Sequence, residues 1–122
     1  MDGPEDGSTV RFMRVYDPGQ IIFHLGDPGD SMYVIHDGEV IIRLDDREDA
    51  PQLARLGKGE FFGEMALVDD SPRSASAVAG SGGAHILAID TPHFIYLVSQ
   101  QPAFALVMLG VMARRLRSKN GA

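Results

Sequence analysis

A chain of 122 residues is one domain in length and long enough to bury a core without cross-links. The sequence has no cysteine, which excludes disulfides, iron–sulfur clusters and thiolate metal sites, and no apolar run approaches the roughly 18 residues that cross a membrane. The formal net charge of −6 argues against broad nucleic-acid binding, which rests on neutralising phosphates, yet leaves room for a small anion held by local geometry.

The first residues, Met1–Thr9, hold Gly3, Pro4, Gly7 and three acids, without the basic start and apolar stretch of a signal peptide. Residues 1–10 are therefore expected to be a flexible tail and residues 11–122 a cytoplasmic domain. From Arg11 to Asp90, short apolar segments alternate with turn signals about every ten residues, the spacing of an antiparallel sandwich or barrel. Asp17-Pro18-Gly19 and Asp27-Pro28-Gly29 each place Pro and then Gly at a turn centre, as a type II turn requires. Between them Ile21–Leu25 reads as a strand. Ser31–His36 and Glu39–Leu44 flank Asp37-Gly38, a hairpin signal. Gln52–Leu56 continues the sheet. Ser74–Ala79 and Ala84–Ile89 read as two strands joined by the loop Gly80-Ser81-Gly82-Gly83. Thr91 and Pro92 then suit the cap and first position of a helix ending near Ser99. Pro102 opens a second helix to about Arg117. Its middle, Phe104–Met112, is apolar on nearly every face, and its end is basic, opposing the helix dipole.

The chemistry concentrates in Gly59-Glu60-Phe61-Phe62-Gly63-Glu64-Met65-Ala66-Leu67 and Pro72-Arg73-Ser74-Ala75-Ser76. Gly63 permits a sharp turn or a close approach. Glu64–Val68 can form one helical turn whose free N–H groups attract an anion. Arg73 offers a planar fork of donors matched to phosphate, and Ser74 adds a hydroxyl. Glu64 can accept from a pair of sugar hydroxyls. Together these groups describe a sugar-phosphate site. Against that reading, Glu60, Glu64, Asp69 and Asp70 outnumber Arg73, as in an ordinary exposed acidic loop.

The segments Phe62–Leu67 and Pro72–Ser76 resemble the phosphate-binding cassette of cyclic-nucleotide-binding domains, found in catabolite activator proteins, cyclic-nucleotide-dependent kinases and nucleotide-gated channels. Pro18–Phe23, Gly26–Asp30 and Met32–Val40 resemble the family's first strands in the same order, and Ala113–Arg117 resembles the start of its hinge helix. The likeness covers about residues 11–119. It implies a mainly β fold, an antiparallel roll (double-stranded β-helix or jelly roll) of about eight strands over 11–90, closed by C-terminal helices over 91–119. It implies that Arg73 and Ser74 bind the cyclic phosphate and that Glu64 accepts from the ribose 2′-hydroxyl. The amides of Met65 and Ala66 would point at the phosphate, with Gly63 giving room beside the ribose. Ile42, Leu53, Phe62 and Met65 would line the base pocket, although apolar residues on strands more often serve only the core. In the family a Thr just after the cassette Arg goes with cGMP and an Ala with cAMP. Ser74 also occurs in cAMP-binding bacterial members, so cAMP is favoured. Relatives often carry a helix before the first strand, and their hinge helix continues over the base. Here about ten tail-like residues precede the roll, and Lys119 and Asn120 fall near the base-contacting positions.

The resemblance implies a sensor with no catalytic residue and no cofactor, whose ligand is cAMP or cGMP and whose signal leaves through the C-terminal helix to an effector unidentified by the sequence. A metal-dependent cupin would need clustered ligands, and His24, His36, His85 and His93 are scattered. Gly57-Lys58-Gly59 lacks the spacing of a phosphate-binding loop of the nucleotide-triphosphatase type. A roll that senses another ligand, or serves as an interaction module, is the alternative. No direct nucleic-acid partner and no membrane segment are expected. The apolar excess of the Pro102–Arg117 helix points to a homodimer.

Overall fold

The computed structural model describes residues 13–69 and 71–119; the tail expected over 1–10, Asp70 and Asn120 lie outside them. Among the described residues, those up to Asp90 form one compact unit and those from Thr91 a second.

The first unit is a six-stranded antiparallel sheet: β1 (Met13–Tyr16), β2 (Ile21–Phe23), β3 (Ser31–Arg43), β4 (Gln52–Leu56), β5 (Phe61–Phe62) and β6 (Ser76–Asp90). Its spine is the pairing of the two long strands, β3 and β6, from Ser31↔Asp90 to Arg43↔Ser76. The short strands flank the spine: β1 and β2 run along successive parts of β6, and β4 and β5 pair with β3. Both halves of the spine face one core, with Tyr33, Ile35, Ile86 and Ala88 from one half and Val40, Ala77 and Ala79 from the other, joined by Leu56 of β4. Large residues on β3 stand opposite alanines on β6, in the pairs Tyr33↔Ala88, Val40↔Ala79 and Ile42↔Ala77. Alternating large and small cross-strand partners fill the interior between the strands.

Two expected breaks are not breaks, which is why six strands stand where about eight were expected. Asp37-Gly38 is not a hairpin turn, and Gly80–Gly83 is not a loop between two strands. Both lie inside continuous strands, where the register of β3 against β6 shifts between Ile35 and Asp37 and again between Gly38 and Val40. Such bulges bend a strand and strengthen its twist. Gly38 holds φ +91° and Gly83 φ +76°, and a Cβ on Gly38 would lie 2.3 Å from the Gly83 carbonyl oxygen. The Asp-Gly pair therefore signals positive φ, but at a bend where two backbones touch.

The two expected Pro-Gly turns also part company. Asp17–Gln20 closes as a turn, with Gln20 N donating to Asp17 O at 3.0 Å and Gly19 at φ +81°. In the second, the positive φ falls at Gly26 (+88°), and Asp27 N donates to His24 O at 3.0 Å, so the turn is centred three residues earlier than Pro28-Gly29. Nearby, Asp46 accepts from the buried Ser76 hydroxyl and pairs with His24 Nδ1 at 2.8 Å, tying the β3–β4 connection to the end of β2. The Ser76 hydroxyl first and His24 second hold the Asp46 carboxyl below the usual carboxylate range.

The second unit is two helices, α1 (Thr91–Gln100) and α2 (Ala103–Lys119). The break falls at Gln101-Pro102, where proline cannot continue a helix. Phe94 and Phe104 meet across it with ring centroids 6.0 Å apart. No single helix among the described residues is long and apolar enough to cross a membrane.

Candidate functional site

Gly63, at φ +76° and ψ 14°, turns the chain out of β5 into a single 3-10 turn, Glu64–Leu67. The conformation lies in the left-handed region, which side chains disfavour. The turn is closed by Ala66 N donating to Gly63 O at 3.3 Å, and Val68 N and Asp69 N both donate to Met65 O at 3.1 Å. The chain then returns through Ser71-Pro72 to Arg73, Ser71 N donating to Asp69 Oδ1 at 2.9 Å.

Arg73 is no ordinary loop arginine: it is 8% exposed. Its main chain is clamped to the β2–β3 connection, with Arg73 N donating to Asp27 O and Gly26 N to Arg73 O, both at 2.8 Å. Its guanidinium points inward. Nη1 donates to Gly63 O at 3.0 Å and Nη2 to Ser31 O at 2.8 Å. Gly63 O therefore accepts from both the 3-10 turn and Arg73, so one carbonyl joins the two halves of the cassette. The guanidinium carbon stands 4.3 Å from the centre of the Phe23 ring and 5.6 Å from that of Tyr33. Phe23, Tyr33 and Phe62 form an aromatic cluster with centroids 5.2–6.1 Å apart. Arg73 Nε is fully buried and has no hydrogen-bond partner. A buried donor without an acceptor is costly and needs a reason, and a ligand oxygen is one.

The residues expected at the site separate by environment. Gly63 and Arg73 are in contact. Glu64 and Ala66 are half-buried on the 3-10 turn, Met65 is 53% exposed, and Ser74 is exposed beside Arg73. The Ala66 amide already has a partner within its own turn. Of the four base-pocket candidates, Phe62 is buried in the core and Ile42 packs against it, whereas Leu53 is 55% exposed at the bulge between β3 and β4. Sequence reasoning missed Phe23, Gly29, Ser31 and Tyr33 as neighbours of the arginine. Gly29 carried a signal, since it was read as a turn glycine but lies outside the left-handed region; a Cβ there would sit 2.4 Å from Arg73 Cζ and Nε. Among the described residues no three His, Asp or Glu side chains converge as a metal site.

Comparison with known proteins places this geometry. The chain is 39% identical over 105 residues to the cyclic AMP receptor protein of Thermus thermophilus, covering 85% of the chain and 48% of that protein. It is 40% identical over 81 residues to the cAMP-dependent protein kinase type II regulatory subunit of Drosophila melanogaster, covering 66% of the chain and 22% of that protein. The crystal structure of the Thermus thermophilus catabolite activator protein superposes with a TM-score of 0.77 at 34% identity, covering 97% of this chain and 57% of that one. The chain thus spans about half or less of the length of the curated relatives it matches. The profile of the cyclic nucleotide-binding domain matches residues 13–101, a span that holds every described strand and the whole Phe62–Ser76 cassette. A roll with this spine, carrying a buried arginine bonded to a glycine-initiated turn, belongs to the cyclic nucleotide-binding domain family.

Proposed function

We propose that this domain is a non-catalytic sensor that binds cAMP in preference to cGMP and passes the bound state through its C-terminal helix to an effector. The observation that carries the reading is Arg73. A guanidinium has five donors, two are used by Gly63 O and Ser31 O, and the buried Nε has none of its own. The cyclic phosphate supplies oxygens for the remaining donors, and Ser74, exposed beside Arg73, adds a hydroxyl. Gly63 opens the turn, Met65 and Ala66 present backbone amides, and Glu64 accepts from the ribose 2′-hydroxyl. The 3.3 Å bond from Ala66 N to Gly63 O is long, so a phosphate oxygen competes for that amide. Phe62 and Ile42 support the base from the interior side, with Leu53 and Met65 exposed above the core.

The preference for cAMP rests on Ser74 in place of the threonine that accompanies cGMP, and on the relatives named for cyclic AMP. The reading places the domain in the cytoplasm, coupled to an effector of the kind its relatives' names describe. Isothermal titration of the purified chain with cAMP, cGMP and 2′-deoxy-cAMP tests it. Binding of cAMP, weaker for cGMP and weaker for the 2′-deoxy analogue, is expected. No binding of either nucleotide returns the chain to the alternative, a roll that senses another ligand or docks a partner. Stronger binding of cGMP than of cAMP reverses the base preference alone.

A further inference from the structure

Besides Gly63 O and the Tyr33 ring, the contacts to Arg73 come from one continuous segment of chain, Phe23–Ser31. Gly26 and Asp27 clamp its main chain, Ser31 O accepts from Nη2, and Phe23 lies under the guanidinium with the ring centre 4.3 Å from Cζ. Gly29 leaves the space that the guanidinium occupies, since its Cβ would come within 2.4 Å of Cζ and Nε and 2.7 Å of Nη2. The chemistry of the two contacts differs. Hydrogen bonds use the edge of a guanidinium, whereas a ring uses its face. A ring therefore fixes the plane of the arginine without consuming a donor that a ligand needs. Carbonyl partners alone cannot do this, because every carbonyl that steadies the group removes an N–H from the phosphate.

We infer that Phe23 is a positioning residue for the ligand: its ring is the platform that fixes the Arg73 guanidinium plane, and Gly29 is the space that keeps the guanidinium on that platform. The inference rests on the reading of Arg73 as the phosphate ligand. Tyr33 and Phe62 hold the platform in turn, their ring centres 6.1 Å and 5.9 Å from that of Phe23. Holding the arginine in place before the nucleotide arrives lowers the ordering cost of binding. Because the contact exists before the nucleotide binds, what it adds to affinity is the avoided ordering of one side chain, equivalent to about a tenfold change.

The test uses the full chain and two readouts. In nitrogen-15 proton spectra of the free protein, the Arg73 Nε–H proton should be shifted upfield by the ring current of Phe23. Phe23→Leu should abolish that shift, and Phe23→Tyr should retain it. In titrations with cAMP, Phe23→Leu should bind about tenfold more weakly. Phe23→Tyr should bind within about twofold of the parent, and Gly29→Ala should weaken binding at least as much as Phe23→Leu. Should Phe23→Leu fail to fold, Phe23→Met, which keeps apolar bulk without a ring, takes its place. An unshifted Nε–H proton in the parent overturns the platform. So does a Phe23→Leu protein that loses the shift and still binds cAMP as tightly as the parent. A tyrosine variant that binds as weakly as the leucine variant reduces Phe23 to core packing and likewise overturns it. A shifted proton in a parent that binds no nucleotide refutes the nucleotide reading itself, and the ligand role of Phe23 falls with it.

Discussion

Arg73 serves two masters, and its removal should register twice. A charged contact to phosphate, lost with its partner left behind, costs about 2–5 kcal/mol, so Arg73→Ala should weaken cAMP binding at least tenfold in a titration. The same side chain satisfies Gly63 O and Ser31 O from a buried position, and hydrogen bonds to a charged group are worth about 1.5–3 kcal/mol. The variant should therefore also melt at a lower temperature without ligand. An unchanged affinity would remove Arg73 from the phosphate. Glu64→Ala should cost binding less than Arg73→Ala does, and the variant should no longer distinguish cAMP from its 2′-deoxy analogue. Asp46 gives a pH prediction of definite sign. Its carboxyl is held below its ordinary value of 3.8 by Ser76 and His24, so its stabilising contribution is complete above that value and is lost as pH falls through the lower folded one. Asp46→Asn should be less stable than the parent at neutral pH, and thermal melts of the two should converge in acid. A gap that stays constant to low pH would mean that the Asp46 charge contributes nothing.

Among the elements, the long strands depend on glycines at their bends. Gly38→Ala forces a side chain onto φ +91° and into the Gly83 carbonyl oxygen 2.3 Å away, whereas a Cβ on Gly57 meets nothing within 4 Å. Left-handed strain costs about 1–3 kcal/mol, and here a backbone clash adds to it. Gly38→Ala should therefore lower the denaturant midpoint well beyond Gly57→Ala, and equal midpoints would show that the bulge can relax. The same bends explain what the sequence could and could not reveal. Turn spacing and the late switch to helical patterning were enough to expect an antiparallel β unit followed by two helices. Strand count was not legible, because Asp37-Gly38 demands positive φ equally at a hairpin and at a bulge, and only long-range pairing with β6 separates the two. The cassette residues lie within fifteen positions of one another, from Phe62 to Ser76, and were legible as a motif. Its aromatic floor was not, since Phe23 and Tyr33 reach Arg73 only through the fold.

At the scale of the whole molecule, α2 presents more apolar surface than its own unit covers. Met108 is buried and Phe104, Val111 and Met112 are half-buried, while Leu106, Leu109 and Leu116 are 72%, 61% and 60% exposed. With the exposed Ala113, these leucines are spaced three, four and three residues apart, so they fall on one line along the helix. That is the spacing of a coiled-coil seam, in which each side chain fits between those of a facing helix. The sequence showed Phe104–Met112 apolar on nearly every face; with Met108 buried, the exposed leucines leave one line, Leu106, Leu109 and Leu116. A second copy of the same helix about a two-fold axis offers an identical line, and an isologous contact buries both at once. Arg114 and Arg117, both exposed, flank the line as a polar rim. We therefore expect a homodimer through α2. Sedimentation at micromolar concentration should show twice the chain mass, and a clean monomer would refute the dimer. Leu109→Glu should return the protein to monomer, because the seam would otherwise bury an unpaired carboxylate on each side. A dimer that survives Leu109→Glu would place the interface elsewhere on the domain.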